Sequence, residues 1–244
     1  MRPFIGVKNS MQIPATQDSI RNFFKRWPAF YYFVATVFGP MMFTGVSAQL
    51  FLRRFPKEGL TLNLGSGPRR LGADIKNIDI LPFPGVDVVS SLESLPFTEG
   101  NISRIVCDNV LEHVEDPYKA VAEIHRVLQP NGLLYVALPF LYPFHNSPND
   151  FRRWTDEGIK RMLQQFEIVR LGVRAGPFSA LTVYACYFFA TLFSFGSLRL
   201  YDLLVNFSML LFFPLKTLDI IFARFPYSIR MASVLYCVAQ KRSI

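Results

Sequence analysis

Short apolar runs alternate with polar, turn-forming segments from Leu60 onward. Seven of these runs have the length and composition of buried strands: LTLNLG, NIDIL, VDVVS, ISRIVCD, LLYVALP, FEIVRLGV and SVLYCVAQK. Helical patterns stand between several of them. Strands that alternate with helices at this spacing predict an α/β fold, with a mostly parallel sheet covered on both faces.

One predicted helix carries signals at both ends. Asp116 is a suitable N-cap, Pro117 fits the first helical position, and Pro130-Asn131-Gly132 predicts the end. A second helix is predicted over about residues 155–165.

An apolar insertion interrupts the alternation before the last strand. Phe178–Leu198 carries no charge, and after Arg199 and Asp202 a second uncharged run extends to Leu215. The first run has the ~20 residues of a membrane span, whereas the second is short for one. Both flanks belong to one sheet, so the insertion must cross a membrane an even number of times or not at all. We expect a hairpin that lies in or on the membrane, or an apolar lid over the active site; a spanning segment and a soluble cap or oligomer interface remain alternatives.

A second uncharged run, Trp27–Leu52, precedes the first strand and is interrupted by Gly39-Pro40. Basic residues flank both of its ends, so they predict no orientation across a membrane. The predicted organisation is a basic and apolar helical region over 1–58, a core domain over 59–175, the insertion over 176–230, and the last strand over 231–244.

Composition narrows the choice of partners. The chain has 244 residues, 51% of them hydrophobic and 18% charged, with a formal net charge of +8. A basic balance suits an anionic lipid surface or substrate, and the absence of a Lys/Arg run longer than two residues argues against nucleic acid. Residues 1–26 contain no apolar segment typical of a secretory signal. Cys107, Cys186 and Cys237 are far apart, so we expect reduced, buried thiols in a cytosolic protein, with neither a disulfide nor a metal site.

The sequence LNLGSGPRR predicts a ligand-binding turn after the first strand. Gly65 and Gly67 permit unusual backbone angles and a close approach to a ligand, and Asp79 ends the second strand, where a carboxylate can bind ribose hydroxyls. The dinucleotide fingerprint requires a third glycine where Arg70 stands. The connection to the next strand is also too short for a crossover helix. A plain tight turn therefore remains an alternative to a nucleoside-bearing cofactor site.

Several ordered motifs together resemble the class I S-adenosylmethionine-dependent methyltransferases of the type 11 branch, which includes many small-molecule enzymes. They are LNLGSG, NIDI, LESLPF, DNVLEHVEDP, HRVLQPNGLLYVALP and PFHNSPNDFRRWT. The resemblance covers Leu60–Val173, and Ser233–Lys241 fits the final strand of that family. It implies a Rossmann-like fold with a mostly parallel seven-stranded sheet and S-adenosylmethionine as cofactor.

The resemblance also implies roles for individual residues. The glycine turn would pass under the methionine and ribose, Asp79 would bind the ribose, the segment before SLPF would line the adenine, and the residues after the fourth strand would face the sulfonium. These cofactor residues are Gly65, Ser66, Gly67, Asp79, Ser91, Leu92, Glu93, Asn109, Val110 and His113. Asn63 and Ser91 stand where the family often has acidic residues, so affinity for the cofactor is expected to be lower.

A hydroxyl acceptor needs a general base, and histidine is the usual one near neutral pH. His145 is our candidate, because its loop follows the fifth strand, where a parallel sheet opens to substrate. Tyr142, Asp150, Arg152 and Arg153 of the same loop are candidate substrate contacts, although an Asp–Arg pair and a turn-capping histidine are an equally simple reading. His125 is expected to pack on its helix.

The sequence thus predicts methyl transfer to a small, lipophilic or membrane-delivered acceptor, with an oxygen acceptor inferred only from His145. The predicted location is cytoplasmic, peripheral or monotopic on the membrane. A methyltransferase-like binding module without turnover is the first rival, and a nicotinamide-dependent oxidoreductase is the second. Nucleic-acid methylation is disfavoured, because DNVLEH stands where an acidic-Pro-Pro-aromatic motif would follow the fourth strand.

Overall fold

The computed structural model of the protein describes residues 39–145 and 149–243. Seven strands form one sheet in the order β3-β2-β1-β4-β5-β7-β6. Their bounds are β1 Leu60–Leu64, β2 Ile75–Asp79, β3 Val88–Val89, β4 Ile102–Asp108, β5 Leu128–Pro139, β6 Phe166–Ala175 and β7 Val234–Lys241. Strands β1 to β5 run parallel to one another, and β7 is antiparallel to both β5 and β6. The predicted mostly parallel, seven-stranded α/β fold is confirmed.

The first strand that the structure describes, β1, lies inside the sheet. Strands β2 and β3 follow on one side of it, and β4 begins the other side. Strand β1 pairs with both β2 and β4. The order of the strands therefore reverses between β1 and β4. In open α/β sheets a ligand binds outside the carboxyl ends of the strands at such a reversal, so the fold itself points to the turn after Leu64.

Two of the helices on the domain were predicted from the sequence, the first of them from its end signals. They are α2, Pro117–Val127, and α3, Asp156–Met162. The Asp116 carboxylate accepts hydrogen bonds from the N–H groups of Tyr118 and Lys119, as the N-cap prediction requires. The predicted end of α2 was wrong: Leu128 is already extended, because it is fully buried and pairs with Ile102 of β4.

The connection between β1 and β2, which the structure describes throughout, contains no helix, and a helix that precedes β1 packs on the sheet. This helix, α1, comprises Ala48–Arg54 and is capped by Ser47. Phe51 of α1 is fully buried, and its ring stacks on that of Tyr135 with centroids 5.5 Å apart. The end of the Trp27–Leu52 run therefore belongs to the core of the domain. Residues 27–38 lie outside the described residues, and their association with a membrane stays a prediction.

The three cysteines are buried and unpaired. Cys107 and Cys237 are sheet residues without exposed surface, and burial raises the pKa of the Cys237 thiol to about 12. A thiol that stays protonated is a poor nucleophile and a poor metal ligand. The expectation of reduced structural thiols agrees with this placement.

The apolar insertion is helical, and its two ends lie next to each other at the edge of the sheet. It contains α4 Pro177–Phe193, α5 Leu198–Phe212 and α6 Asp219–Phe222, with short 3-10 turns at Phe213–Leu218 and Pro226–Met231. The N–H of Ser233, directly before β7, donates to the carbonyl of Ala175 at the end of β6, at 2.9 Å. Strands β6 and β7 thus form a hairpin whose loop is the whole insertion.

One buried carboxylate closes the insertion on itself. Asp219 has no exposed surface, and its two oxygens accept hydrogen bonds from the N–H groups of Phe178 (2.9 Å) and Ser179 (2.8 Å). These N–H groups belong to the first turn of α4 and have no acceptor within the helix. A negative charge at this end of the helix also interacts favourably with the helix dipole. A Cβ on Gly176 would lie 2.4 Å from Asp219 Oδ1, so glycine is required there for the closure.

We expect Asp219→Ala to lower the free energy of unfolding by about 3 kcal/mol, because two buried N–H groups lose a charged acceptor. Urea denaturation followed by circular dichroism measures the change. Asp202→Ala is the control, since it removes a carboxylate from α5 of the same insertion. Equal unfolding midpoints for the two variants would show that the Asp219 contact does not stabilise the fold.

Most of the insertion's apolar side chains point to its outside. Phe188, Phe195 and Leu203 are 66%, 87% and 64% exposed. Among the described residues, the helical stretch Leu198–Phe222 is long and apolar enough, by length and composition, to cross a membrane. The sequence had predicted a shorter second run, bounded by Lys216. The observed stretch is longer than the predicted one because the 3-10 turn Phe213–Leu218 continues the helical backbone beyond Lys216.

Candidate active site

The turn after β1 has the backbone that the two glycines were expected to permit. Gly65 and Gly67 have φ angles of 61° and 52°, in the left-handed region that favours glycine. A Cβ on Gly65 would lie 2.4 Å from Cγ2 of Val110, so the turn approaches the segment after β4 closely. Nothing lies within 4 Å of a Cβ placed on Gly67, which leaves open space above the turn.

Asp79, at the carboxyl end of β2, holds this turn in place. Its Oδ2 accepts a hydrogen bond from the N–H of Gly67 at 2.8 Å, and its Oδ1 accepts one from the N–H of Leu81 at 3.0 Å. A carboxylate has about four acceptor positions, so two remain for hydroxyl donors of a ligand. The turn and the predicted ribose-binding carboxylate are thus in direct contact.

The predicted adenine segment begins beside Asp79, because the N–H of Ser90 donates to the carbonyl of Asp79 at 2.9 Å. Its side chains diverge. Ser91 Oγ accepts from the N–H of Glu93, Leu92 is buried in the core, and the Glu93 carboxylate faces the start of α2, with Oε2 3.7 Å from Nζ of Lys119. Of the three, Ser91 is exposed, Glu93 is partly exposed and Leu92 is buried.

A cavity of about 160 Å³ lies between the carboxyl ends of β1 and β4. It brings Gly65, Ser66 and Asn109 of the predicted cofactor residues together with four further polar residues. These four are Asn63, Arg69, Asp108 and Arg174. Asp79, Ser91, Val110 and His113 are not among the residues that line it.

The cavity contains buried charges of both signs. Burial raises the pKa of Asp108, and the charges of Arg174 and Arg69 limit that rise. Nε of Arg174 is buried without a hydrogen-bond partner, and its guanidinium lies over the ring of Phe43, 4.4 Å from the centroid. A carboxylate beside guanidinium groups suits a zwitterionic ligand such as the amino-acid end of S-adenosylmethionine. The residues present therefore fit that cofactor.

Asn63 shows why the family's acidic residue is absent from β1. Its Nδ2 donates to Oδ1 of Asn77 at 3.0 Å and to the carbonyl of Arg69 at 3.2 Å. A carboxylate cannot donate either bond. The acid of this cavity is instead Asp108, at the end of β4. Its position at the carboxyl end of a buried strand, next to Asn109, was a signal available in the sequence.

Asn109 has a φ of 57°, which is unusual for a residue other than glycine. Its N–H donates to the carbonyl of Ala137 at 2.9 Å, which keeps the turn after β4 against β5. Strained backbone of this kind concentrates at ligand sites. The turn places Val110 against Gly65, so the predicted cofactor residues of β1 and β4 meet.

The four predicted substrate residues, Tyr142, Asp150, Arg152 and Arg153, line one cavity of about 240 Å³ together with Phe144 and Phe151. Arg153 is held inside the loop: its Nη2 donates to Oδ2 of Asp150 at 2.6 Å, and its Nε donates to the carbonyl of Tyr142 at 2.9 Å. Burial alone would raise the pKa of Asp150, but the hydrogen bonds from Arg153 and from the N–H of His145 outweigh it and hold that pKa below its usual range. Arg152 is more exposed and donates to the carbonyl of Val114.

The structure brings His145 and His113 together, with ring centroids 5.0 Å apart. The N–H of His145 donates to Oδ2 of Asp150 at 2.7 Å, which fixes the histidine's backbone beside the second cavity. His125 packs its ring against Phe166 instead, as expected for a helix-packing residue. Glu112, which lies between His113 and the core, was not singled out from the sequence.

Fold and site together define a class I methyltransferase fold. A seven-stranded sheet, entered at β1 and completed by antiparallel β7, carries a glycine turn bonded to an acidic residue at the end of β2. A family model described as a methyltransferase domain, of type 11, matches residues 68–136. The recognition of a type 11 methyltransferase domain is therefore confirmed, and the match supports S-adenosylmethionine as its cofactor.

Similar proteins agree with this class. The chain is 33% identical over 101 residues to an uncharacterised 37.1 kDa protein in transposon TN4556 of Streptomyces fradiae, a match that covers 38% of this chain but only 29% of that protein. An S-adenosylmethionine-dependent methyltransferase from Thermotoga maritima aligns over 91% of this chain and 99% of its own, with 14% identity and a TM-score of 0.51. Phosphoethanolamine N-methyltransferase 2 of Haemonchus contortus, in complex with S-adenosyl-L-methionine, aligns over 92% of this chain and 60% of its own, with 14% identity and a TM-score of 0.50. At such identities these structures are evidence for the fold alone.

Proposed function

We propose that this protein transfers a methyl group from S-adenosylmethionine to a small, lipophilic acceptor that reaches it at a membrane surface. The observation that carries the proposal is the hydrogen bond between Gly67 and Asp79, beside a cavity that contains Asp108 and Arg174. S-adenosylmethionine joins a nucleoside to an amino acid. At this edge of the sheet, Asp79 would bind the nucleoside part, and Asp108 and Arg174 would bind the amino-acid part.

The residues of the chain would bind and orient the cofactor. Asp79 would accept hydrogen bonds from the ribose hydroxyls while it keeps the glycine turn in place. Arg174 and Arg69 would bind the carboxylate of the methionine end, and Asp108 would bind its ammonium group. The bound cofactor supplies an electrophilic methyl carbon on a sulfonium, so the protein needs chiefly to align the acceptor and to exclude water.

The acceptor would lie on the side of His145 and the second cavity. Tyr142, Phe144 and Phe151 give this cavity an aromatic lining that suits a lipophilic molecule, and Arg152 at its edge can bind an anionic group. His145 lies beside this cavity, next to Asp150, and its imidazole would be the base for the acceptor. An oxygen acceptor is proposed on that ground.

The apolar insertion supports delivery from a membrane. Its exposed Phe188, Phe195 and Leu203 form part of an apolar surface that is unusual on a domain surrounded by water. Exposed Arg199 near the tip of the hairpin opposes insertion of the tip into hydrocarbon, so the helices are proposed to lie along the interface. The net charge of +8 adds attraction to an anionic leaflet.

Calorimetric titration with S-adenosylmethionine, and with NADH in parallel, tests the proposal first. Saturable binding of S-adenosylmethionine without binding of NADH is expected, and transfer of labelled methyl groups to lipid extracts would then identify the acceptor. Binding without transfer to any extract would favour a binding module without turnover. Binding of NADH alone would favour an oxidoreductase.

We expect His145→Ala to lower turnover by about 100-fold, within the range found for positioned acid–base groups, while the affinity for S-adenosylmethionine stays unchanged. Initial rates with labelled cofactor, together with calorimetry, separate the two effects. His125→Ala is the matched control, because it removes a histidine that packs on Phe166. Normal turnover of His145→Ala would make His145 a structural residue of the loop.

A further inference from the structure

A buried carboxylate between two histidines has no assigned role in the proposed methyl transfer. The side chain of Glu112 has no exposed surface, and neither of its oxygens has a hydrogen-bond partner. An ionised carboxylate in such a place costs several kcal/mol unless a cation or a hydrogen-bond donor compensates it. Glu112, if ionised, therefore needs a cation or a donor that the hydrogen bonds of the described residues do not supply.

The nearest groups are the two imidazoles. Nε2 of His113 lies 3.9 Å from Glu112 Oε1, and Nε2 of His145 lies 3.7 Å from the same oxygen. Both distances exceed the 2.7–3.2 Å of a hydrogen bond to nitrogen, so the imidazoles do not satisfy the carboxylate directly. One ligand atom from each of the three residues lies within 4.8 Å of the others.

The opposite nitrogen of each imidazole faces an oxygen. Nδ1 of His113 contacts the carbonyl of Asn149, and Nδ1 of His145 lies 3.4 Å from both the carbonyl of Pro143 and Oδ2 of Asp150. The carbonyl of Asn149 can only accept, so it favours a proton on Nδ1 of His113 and a lone pair on Nε2. For His145, metal binding through Nε2 requires the proton on Nδ1, where Oδ2 of Asp150 and the carbonyl of Pro143 are the acceptors and Nη2 of Arg153 is a competing donor. Metal-binding histidines in proteins have this arrangement, with the second nitrogen donating to a carbonyl or a carboxylate.

The positive charge nearest to the cluster is already neutralised. Both N–H groups of Arg153 Nη2 are used, one by Oδ2 of Asp150 at 2.6 Å and one by the carbonyl of Pro143 at 2.7 Å. Nη2 also lies 3.3 Å from Nδ1 of His145, a contact in which the guanidinium can act only as a donor. The hydrogen bond to Asp150, and then the charges of Asp150 and Glu112, raise the pKa of Arg153, but no hydrogen bond joins Arg153 to Glu112.

We propose that Glu112, His113 and His145 bind a divalent first-row metal ion through one carboxylate and two Nε2 atoms. Zinc binds such atoms at about 2.0–2.2 Å, which places tetrahedral ligands ~3.4 Å apart. The observed 3.7 and 3.9 Å to Glu112 Oε1 need a small contraction, whereas the ligand atoms of the whole cluster lie within 4.8 Å, so the largest separation must close by up to about 1.4 Å. The elements differ in rigidity, since Glu112 and His113 share one 3-10 turn, Leu111–His113, and His145 lies on the loop after β5.

The proposal changes the expected role of His145 and replaces the expectation that no metal is bound. Two histidines and a glutamate leave a tetrahedral ion one open position, where water or a substrate oxygen can bind. That oxygen would be more acidic when bound to the ion, so a free histidine base would not be needed. This consequence rests on the proposed function, whereas binding of the ion does not.

Calorimetric titration of the chelator-treated full-length protein with Zn²⁺ tests the site. We expect one ion per chain, and we expect His113→Ala, His145→Ala and Glu112→Gln each to weaken its binding by at least tenfold. His145→Ala is the most informative variant, because this side chain is 29% exposed and its loss should not affect folding. His125→Ala, which removes the remaining histidine of the chain, should bind Zn²⁺ like the unmodified protein.

Titration with Co²⁺ gives a second readout, because ligand-field absorption in the visible range reports nitrogen and oxygen ligands directly. Absence of saturable Zn²⁺ binding by the unmodified protein would overturn the proposal. Equal weakening by His125→Ala would also overturn it. Because neither measurement contains S-adenosylmethionine, a failure of the metal site and a failure of the methyltransferase proposal give different results.

Discussion

Replacing Asp79 by alanine should weaken the binding of S-adenosylmethionine by at least about tenfold, because a hydrogen bond to a charged group contributes roughly 1.5–3 kcal/mol. The carboxylate has two functions at this point. It accepts a hydrogen bond from the N–H of Gly67, which fixes the turn, and it has acceptor positions left for the ribose hydroxyls. Loss of both makes this the largest expected effect of a single substitution on the cofactor.

Calorimetry on three variants separates the two functions. Asp79→Asn keeps an acceptor for the N–H of Gly67 but loses the negative charge, so an intermediate affinity is expected. Asp74→Ala is the control, since Asp74 is an exposed carboxylate in the same connection between β1 and β2. Unchanged affinity of Asp79→Ala would remove Asp79 from the cofactor site.

Deletion of the apolar insertion should release the protein from membranes. Residues 177–232 can be replaced by a short Gly-Ser linker, because the N–H of Ser233 already bonds to the carbonyl of Ala175 and the two strands form a hairpin. Burial of apolar surface contributes about 25 cal/mol per Å², so removal of several exposed aromatic and aliphatic side chains eliminates most of the membrane affinity. The affinity for S-adenosylmethionine should change little, since the proposed cofactor residues all lie outside the deleted segment, including Arg174 on β6.

Co-sedimentation with anionic phospholipid vesicles measures the release. A triple variant, Phe188→Asp, Phe195→Asp and Leu203→Asp, provides a second test that keeps the length of the chain. Its control is Ile80→Asp with Val89→Asp, because these apolar residues are comparably exposed but belong to the sheet domain. If the deleted protein still sediments with vesicles, the anchor lies in the apolar residues that precede β1.

The fold could be predicted from the sequence because its signals are local. Each strand is a short apolar run, and Asp116 and Pro117 mark a helix start with a known capping geometry. The end of α2 could not be predicted in this way. It depends on the pairing of Leu128 with Ile102, a contact between residues far apart in the chain.

The same distinction applies to the candidate site, where some residues could be predicted from the local sequence and others could not. Gly65, Gly67 and Asp79 were found because a turn between strands requires particular residue types at fixed positions. Asp108 and Arg174 were not found, since a lone charged residue at the end of a strand is a weak signal until the fold places the two in one cavity. Glu112 was missed for another reason: its burial, and the approach of His145 from a distant loop, exist only in three dimensions.

The position of β7 has a consequence for the order in which the protein is made. This strand lies between β5 and β6 in the sheet but follows the apolar insertion in the chain. During synthesis, the helices α4 and α5 therefore leave the ribosome while β5 and β6 still have unpaired edges. Pairings between residues so far apart form slowly, and exposed apolar surface is prone to aggregate in the meantime. A nearby membrane that takes up these helices would protect the nascent chain until residues 234–241 complete the sheet.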